Sequence, residues 1–111
     1  VTIYGNGDQT RSFCYISDLV SGIVALAESD LNSPVNIGNP SEMTILQLAE
    51  RIIAATNSSS RIVHKGLPTD DPKIRQPDIT RAQSLLNWEP TVPISEGLSS
   101  TIKYFQRKIK Q

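Results

Sequence analysis

With 111 residues, 38% of them hydrophobic, the chain holds apolar material for one small domain. Eleven Lys and Arg balance eleven Asp and Glu, so no charge excess marks a nucleic-acid or membrane surface. A single cysteine, Cys14, excludes an internal disulfide, and no Cys/His cluster has metal-ligand spacing. Val1, Thr2 and Ile3 favour a strand, which Gly5 and Gly7 interrupt. Asp8, Gln9 and Thr10 then lead to Arg11, whose planar fork of donors matches phosphate or carboxylate. The opening therefore reads as strand, glycine loop, arginine, helix, an order that suits an extended ligand lying along the loop.

Ser17 and Asp18 are the expected start of the helix, which runs to about Ser29. Leu19, Val20, Ile23, Val24 and Ala27 share one face, and that stripe is expected in the core. Residues 35–38 alternate like a strand before a turn at Asn39 and Pro40, where Asn36 and Asn39 are expected to satisfy backbone groups. Thr44 and Gln47 have capping-box spacing, opening a helix that buries Ile45, Leu48, Ala49, Ile52 and Ile53. Asn57 and three serines end it. Residues 61–65 alternate again, with Ile62 and His64 on one face and Val63 on the other.

Residues 66–77 carry Pro68, Pro72 and Pro77 and read as an irregular connector or binding element. Asp78 caps a short helix bearing Ile79, Ala82, Leu85 and Leu86, stopped by Trp88 and Pro90. After Pro93 a last helix is marked by Ile94, Leu98, Ile102, Phe105 and Ile109. Lys103, Arg107, Lys108 and Lys110 crowd its C-terminal end, where the macrodipole favours cations. The expected fold is α/β, with about three short strands and four helices. No run reaches membrane-spanning length and no signal peptide is visible, so the expected localisation is cytoplasmic, with a membrane-anchored or Golgi longer form as the alternative. Because Val1 opens an apparent strand without a methionine, the chain reads as a fragment.

Several motifs together resemble one enzyme family. Residues 4–18 read Tyr-Gly-Asn-Gly-Asp-Gln-Thr-Arg-Ser-Phe-Cys-Tyr-Ile-Ser-Asp, and residues 34–40 read Pro-Val-Asn-Ile-Gly-Asn-Pro. Residues 70–79 read Asp-Asp-Pro-Lys-Ile-Arg-Gln-Pro-Asp-Ile, followed by Leu-Asn-Trp-Glu-Pro at 86–90 and Glu-Gly-Leu at 96–98. This series resembles the carboxyl-terminal part of UDP-glucuronate decarboxylases (UDP-xylose synthases), in the extended short-chain dehydrogenase/reductase group.

The resemblance implies a substrate-binding lobe across residues 1–111 that packs on an NAD-binding Rossmann domain. NAD is expected in the whole enzyme and not on these residues. No G-x-x-G-x-x-G opens the chain, and no Y-x-x-x-K is expected at Tyr4, Tyr15 or Tyr104. Tyr4, Gly5, Asn6, Gly7, Asp8, Gln9, Thr10 and Arg11 are implied to line a UDP-sugar, with Arg75 near its phosphate or sugar. Arg75 is also the catalytic candidate, as proton donor or as positive charge beside a departing carboxylate. Because guanidinium holds its proton tightly, the charge role is at least as good an account. Two bland readings stand beside these: Arg75 paired with Asp70 or Asp71, and the glycine loop as an ordinary surface turn.

The expected partner is a UDP-sugar, in a homo-oligomer, with no nucleic acid, no metal and no membrane segment. Alternative readings are the lobe of another nucleotide-sugar epimerase or dehydratase, or a stand-alone binding or interaction module. Gln9-Thr10-Arg11 and Asp70-Asp71-Pro72 favour the decarboxylase.

Overall fold

The computed structural model describes residues 1–67 and 74–109. In chain order they form β1 (Thr2–Tyr4), β2 (Thr10–Ser12), α1 (Ile16–Ala27), β3 (Glu42–Thr44), α2 (Ile45–Ala55), β4 (Val63–Lys65), β5 (Ile74–Arg75), α3 (Thr80–Leu86) and α4 (Ile94–Ile109). The α/β class and the four helices agree with the sequence. The strands do not: five short strands are described where three are expected.

Strands β1 and β4 pair in parallel, Ile3 opposite His64. A second sheet has the order β3-β2-β5, antiparallel between β2 and β3 and parallel between β2 and β5. Three-residue strands carry too little alternation to announce themselves, and they exist here because their backbones find partners. Residues 35–38 show the converse. Their sequence alternates, yet no strand forms there, and Val35 and Ile37 pack instead against Ile79, Ala82 and Trp88.

The helix signals are local and hold better. At α2, Gln47 N donates to Thr44 Oγ1 at 3.0 Å while Thr44 N donates to Gln47 Oε1 at 2.9 Å, completing the capping box. Before α3 the outcome differs by one residue: Ile79 is the N-cap, without a side-chain cap bond, and Asp78 Oδ1 accepts from Thr80 N at 3.0 Å just ahead of the helix. Asn87 closes that helix in the left-handed region, φ 50°, and Trp88 N donates back to the Ala82 carbonyl.

Helix α1 departs from its reading in two ways. Tyr15 is its N-cap, without a side-chain bond, so Ser17 and Asp18 lie within the first turn. The face turned inward carries Asp18 and Gly22, whereas Ile16, Val20, Ile23 and Val24 are exposed. The reason is a polar anchor. The Asp18 carboxylate accepts from Val92 N (2.9 Å), Thr91 N (3.1 Å) and Thr91 Oγ1 (3.1 Å). Trp88 Nε1 donates to the Asp18 carbonyl at 3.2 Å and to Ser21 Oγ at 3.0 Å. One turn on, a Cβ at Gly22 would stand 2.5 Å from Ile37 Cγ2 and 3.0 Å from Trp88 Cε2. The helix-propensity gain of alanine, about 1 kcal/mol, does not offset a clash with two core side chains.

Burial alone would raise the Asp18 pKa, but the hydrogen bonds from Val92 and Thr91 outweigh it and hold it below the ordinary carboxylate value. A depressed folded-state pKa contributes stability above the unfolded value, about 4, and that stability is lost as pH falls through the folded value. Asp18→Ala should cost about 1–3 kcal/mol, because Thr91 and Val92 lose their acceptor. Asp18→Asn should lose less and flatten the acid limb below about pH 4. Urea unfolding across pH 3–7 checks both, and equal acid slopes in wild type and Asp18→Asn would refute the anchor.

Candidate functional site

The glycine loop between β1 and β2 is pinned at both ends. Gly5 N donates to the Lys65 carbonyl at 2.6 Å, while Leu46 N and Ile45 N donate to the carbonyls of Gly7 (3.2 Å) and Gln9 (3.0 Å). Gly5 and Gly7 both have positive φ, 66° and 79°, which side chains with a Cβ rarely adopt. A Cβ at Gly7 would also stand 2.9 Å from Leu46 Cβ. The glycines are therefore required by the loop's shape.

Within the loop, Tyr4, Asn6 and Asp8 are exposed, Gly5 is half-buried, and Gly7 and Gln9 are buried. Gln9 turns inward: its Nε2 donates to the Tyr4 carbonyl at 3.1 Å across the loop. Its side chain closes the loop. Thr10 and Arg11 begin β2 instead of continuing an irregular segment, and Arg11 Nη1 donates to the Thr10 carbonyl at 2.7 Å.

Arg11 stands directly opposite Arg75 in the parallel pairing of β2 with β5. Opposed residues of neighbouring strands project to the same face, and such strands lie about 4.8 Å apart. The two arginines expected from distant parts of the sequence thus share one sheet face. They do so side by side, not across a cleft, because residues 74–75 join the sheet. Met43, buried, is opposite Arg11 on the other side. Arginines at opposed positions on one sheet face suit a shared anion. Asp70 and Asp71, the alternative partners for Arg75, lie outside the described residues, as do Pro68, Pro72, Lys73 and Lys110.

The other chemically suggestive residues have structural surroundings. His64 is exposed, and its Nδ1 lies 2.7 Å from the Gly5 carbonyl oxygen. Cys14 is half-buried, its Sγ 3.7 Å from the Tyr15 carbonyl, and burial, then the negative charge of Asp18, pushes its thiol pKa up. A thiol so placed is a poor nucleophile. Asn39 accepts locally from Ser41 N, whereas Asn36 reaches the Asp78 carbonyl at 3.2 Å. Tyr104 and Lys108 do have Y-x-x-x-K spacing, contrary to the expectation for the chain's tyrosines. Both belong to α4, and the ammonium stands over the ring, 5.8 Å from its centroid. Tyr104 also meets Phe105 edge-on, in a surface cluster. No three His, Cys, Asp or Glu among the described residues gather to hold a metal ion.

A family model described as GDP-mannose 4,6 dehydratase matches residues 1–101. The chain belongs to that family. Among curated relatives, UDP-glucuronic acid decarboxylase 1 of Danio rerio is 51% identical over 110 residues, covering 99% of this chain and 26% of that protein. UDP-glucuronic acid decarboxylase 1 of Arabidopsis thaliana is 48% identical over 109 residues, 98% of this chain and 25% of that protein. The chain therefore spans about a quarter of the length of the curated relatives it matches.

Among solved structures of this kind, the Thermotoga maritima UDP-glucose 4-epimerase with UDP-glucose superposes with a TM-score of 0.91 at 31% identity, over 98% of this chain and 35% of that one. The Bacillus cereus UDP-glucuronic acid 4-epimerase, in complex with UDP-glucuronic acid and NAD, gives a TM-score of 0.84 at 33% identity, over 96% and 35% respectively. The GDP-mannose 4,6 dehydratase family thus accounts for the small α/β unit and its paired short sheets.

Proposed function

We propose that residues 1–111 form the carboxyl-terminal nucleotide-sugar lobe of an NAD-dependent UDP-glucuronate decarboxylase. The in-register pairing of Arg11 with Arg75 carries the reading, because a diphosphate is the anion that two neighbouring guanidinium groups fit. Tyr4, Gly5, Asn6, Gly7, Asp8 and Thr10 would offer loop contacts to the uridine and phosphates, with Gln9 holding the loop's shape. Decarboxylase relatives at about half identity favour this reading over an epimerase, whose solved examples are about a third identical.

Among the described residues, the glycine loop does not have the form of a dinucleotide cradle. A dinucleotide cradle places a glycine turn at the start of a helix, whereas Gly5 and Gly7 lead into β2. NAD, held elsewhere in the protein, would supply hydride exchange with the sugar. This lobe would grip the diphosphate through Arg11 and Arg75, the alternative role for Arg75 being positive charge beside the carboxylate that leaves as CO2. The exposed α1 stripe of Ile16, Val20, Ile23 and Val24 supports a docking surface for the rest of the protein. When that partner is missing, the same stripe would join copies of the chain, giving the homo-oligomer expected from the sequence.

Three outcomes test the proposal. Supplied with UDP-glucuronate and NAD, residues 1–111 alone should release no CO2 or UDP-xylose, so turnover at ordinary enzyme rates, roughly 1–1000 per second, would overturn the lobe reading. Light scattering should show self-association of residues 1–111, reduced by Val20→Lys with Ile23→Lys; a clean monomer at high concentration contradicts the docking face. In the complete protein, Arg75→Ala should weaken UDP binding and turnover together by about ten- to a hundredfold, one charge-assisted contact of roughly 1.5–3 kcal/mol. If UDP binding held while kcat collapsed, Arg75 would act on the sugar carboxylate instead.

A further inference from the structure

The peptide between half-buried Gly5 and exposed Asn6 lies in the turn of the loop, and one side chain reaches it from another element. His64 Nδ1 lies 2.7 Å from the Gly5 carbonyl oxygen, 59 residues away in sequence. A carbonyl only accepts, so Nδ1 carries the proton, in the neutral ring or the cation alike. The β1–β4 register makes the contact possible. Ile3 is opposite His64 and Tyr4 is opposite Lys65, so Gly5 is the first residue beyond the ladder. Gly5 N continues the ladder by donating to the Lys65 carbonyl at 2.6 Å, and at φ 66° the chain then turns away. From that point the backbone no longer follows β4, and the imidazole bridges the gap.

We infer that His64 is a positioning residue for the nucleotide-sugar loop, an inference that rests on the reading of that loop given above. The mechanism follows from peptide planarity. The C=O and N–H of one trans peptide point in opposite directions. Holding the Gly5 carbonyl toward β4 therefore turns the Asn6 N–H away from it, as a donor to an anionic ligand on the outer side. Leu46 and Ile45 fix the loop's other end at Gly7 and Gln9, and Gln9 ties its interior to Tyr4. His64 thus sets the Gly5–Asn6 peptide plane, which those contacts do not hold. It touches no reacting atom and acts through the backbone.

The test pairs a variant that removes the donor with one that keeps it. In His64→Leu no donor remains, while in His64→Asn the side-chain amide nitrogen occupies the δ position of the imidazole nitrogen. Strand β4 is exposed throughout, so both variants should fold. In the complete protein, His64→Leu should weaken UDP binding about three- to tenfold, the loss of one hydrogen bond, and His64→Asn should restore it. Thermal unfolding should stay within a degree or two of wild type for both.

The Gly5 carbonyl carbon gives a readout free of ligand, because its resonance follows the hydrogen bond the carbonyl accepts. It should move upfield in His64→Leu, where the donor is gone, and return to the wild-type position in His64→Asn. If the Gly5 carbonyl resonance is the same in wild type and His64→Leu, or if Asn rescues nothing, the inference is overturned. Should that resonance respond as expected while neither His64→Leu nor Arg75→Ala alters UDP binding, His64 positions the loop and the nucleotide-sugar reading is what fails.

Discussion

The carboxylate of Asp18 joins α1 to the segment that separates α3 from α4. Three donors from Thr91 and Val92 converge on it, and its own carbonyl accepts from the Trp88 indole. Residues 88–92 separate α3 from α4, so the anchor fixes how both helices meet α1. It also decides which side of α1 turns inward. A carboxylate that has left water must keep its donors, so the face bearing Asp18 and Gly22 is held inside. The more apolar stripe stays outside because no described part of this chain is placed to cover it.

The buried interior is correspondingly slight. Ile79, Ala82 and Trp88 form one cluster, joined by half-buried Val35, Ile37 and Leu86. Ile3, Met43 and Ala49 are buried near the glycine loop and the start of α2. Two of these residues border the candidate site: Ile3 lies against Gly7 of the loop, and Met43 is opposed to Arg11 in the sheet. Packing by Ile3 and Met43 thus helps fix the loop and the strand that carry the candidate site.

How much of this was legible in the sequence follows the range of the interaction concerned. The α2 capping box, the glycines of the turn and the start of α4 depend on residues within four positions and could be read directly, while the α3 cap falls at Ile79, one residue after Asp78. The three additional strands depend on pairing. Thr10-Arg11-Ser12 looks like loop until Glu42-Met43-Thr44 and Ile74-Arg75 lie alongside it. The inward side of α1 was misread for the same reason, since the apolar stripe outweighs one aspartate until Thr91 and Val92 are seen to meet it. At the site, the loop and both arginines were visible as residue types. Their shared face, the inward turn of Gln9 and the reach of His64 to Gly5 required the fold.

Thr44 belongs at once to a strand and to a helix start. It pairs with Thr10 at the end of β3, and its hydroxyl and backbone nitrogen complete the cap of α2. With no spacer between the two elements, they share one mechanical origin. Slipping β3 by one residue against β2 would pull Thr44 off Thr10, carry Met43 to the opposite side of the sheet and detune the cap in a single step. The register that sets Arg11 beside its neighbours is therefore indexed by a helix start, as a ratchet is held by its pawl.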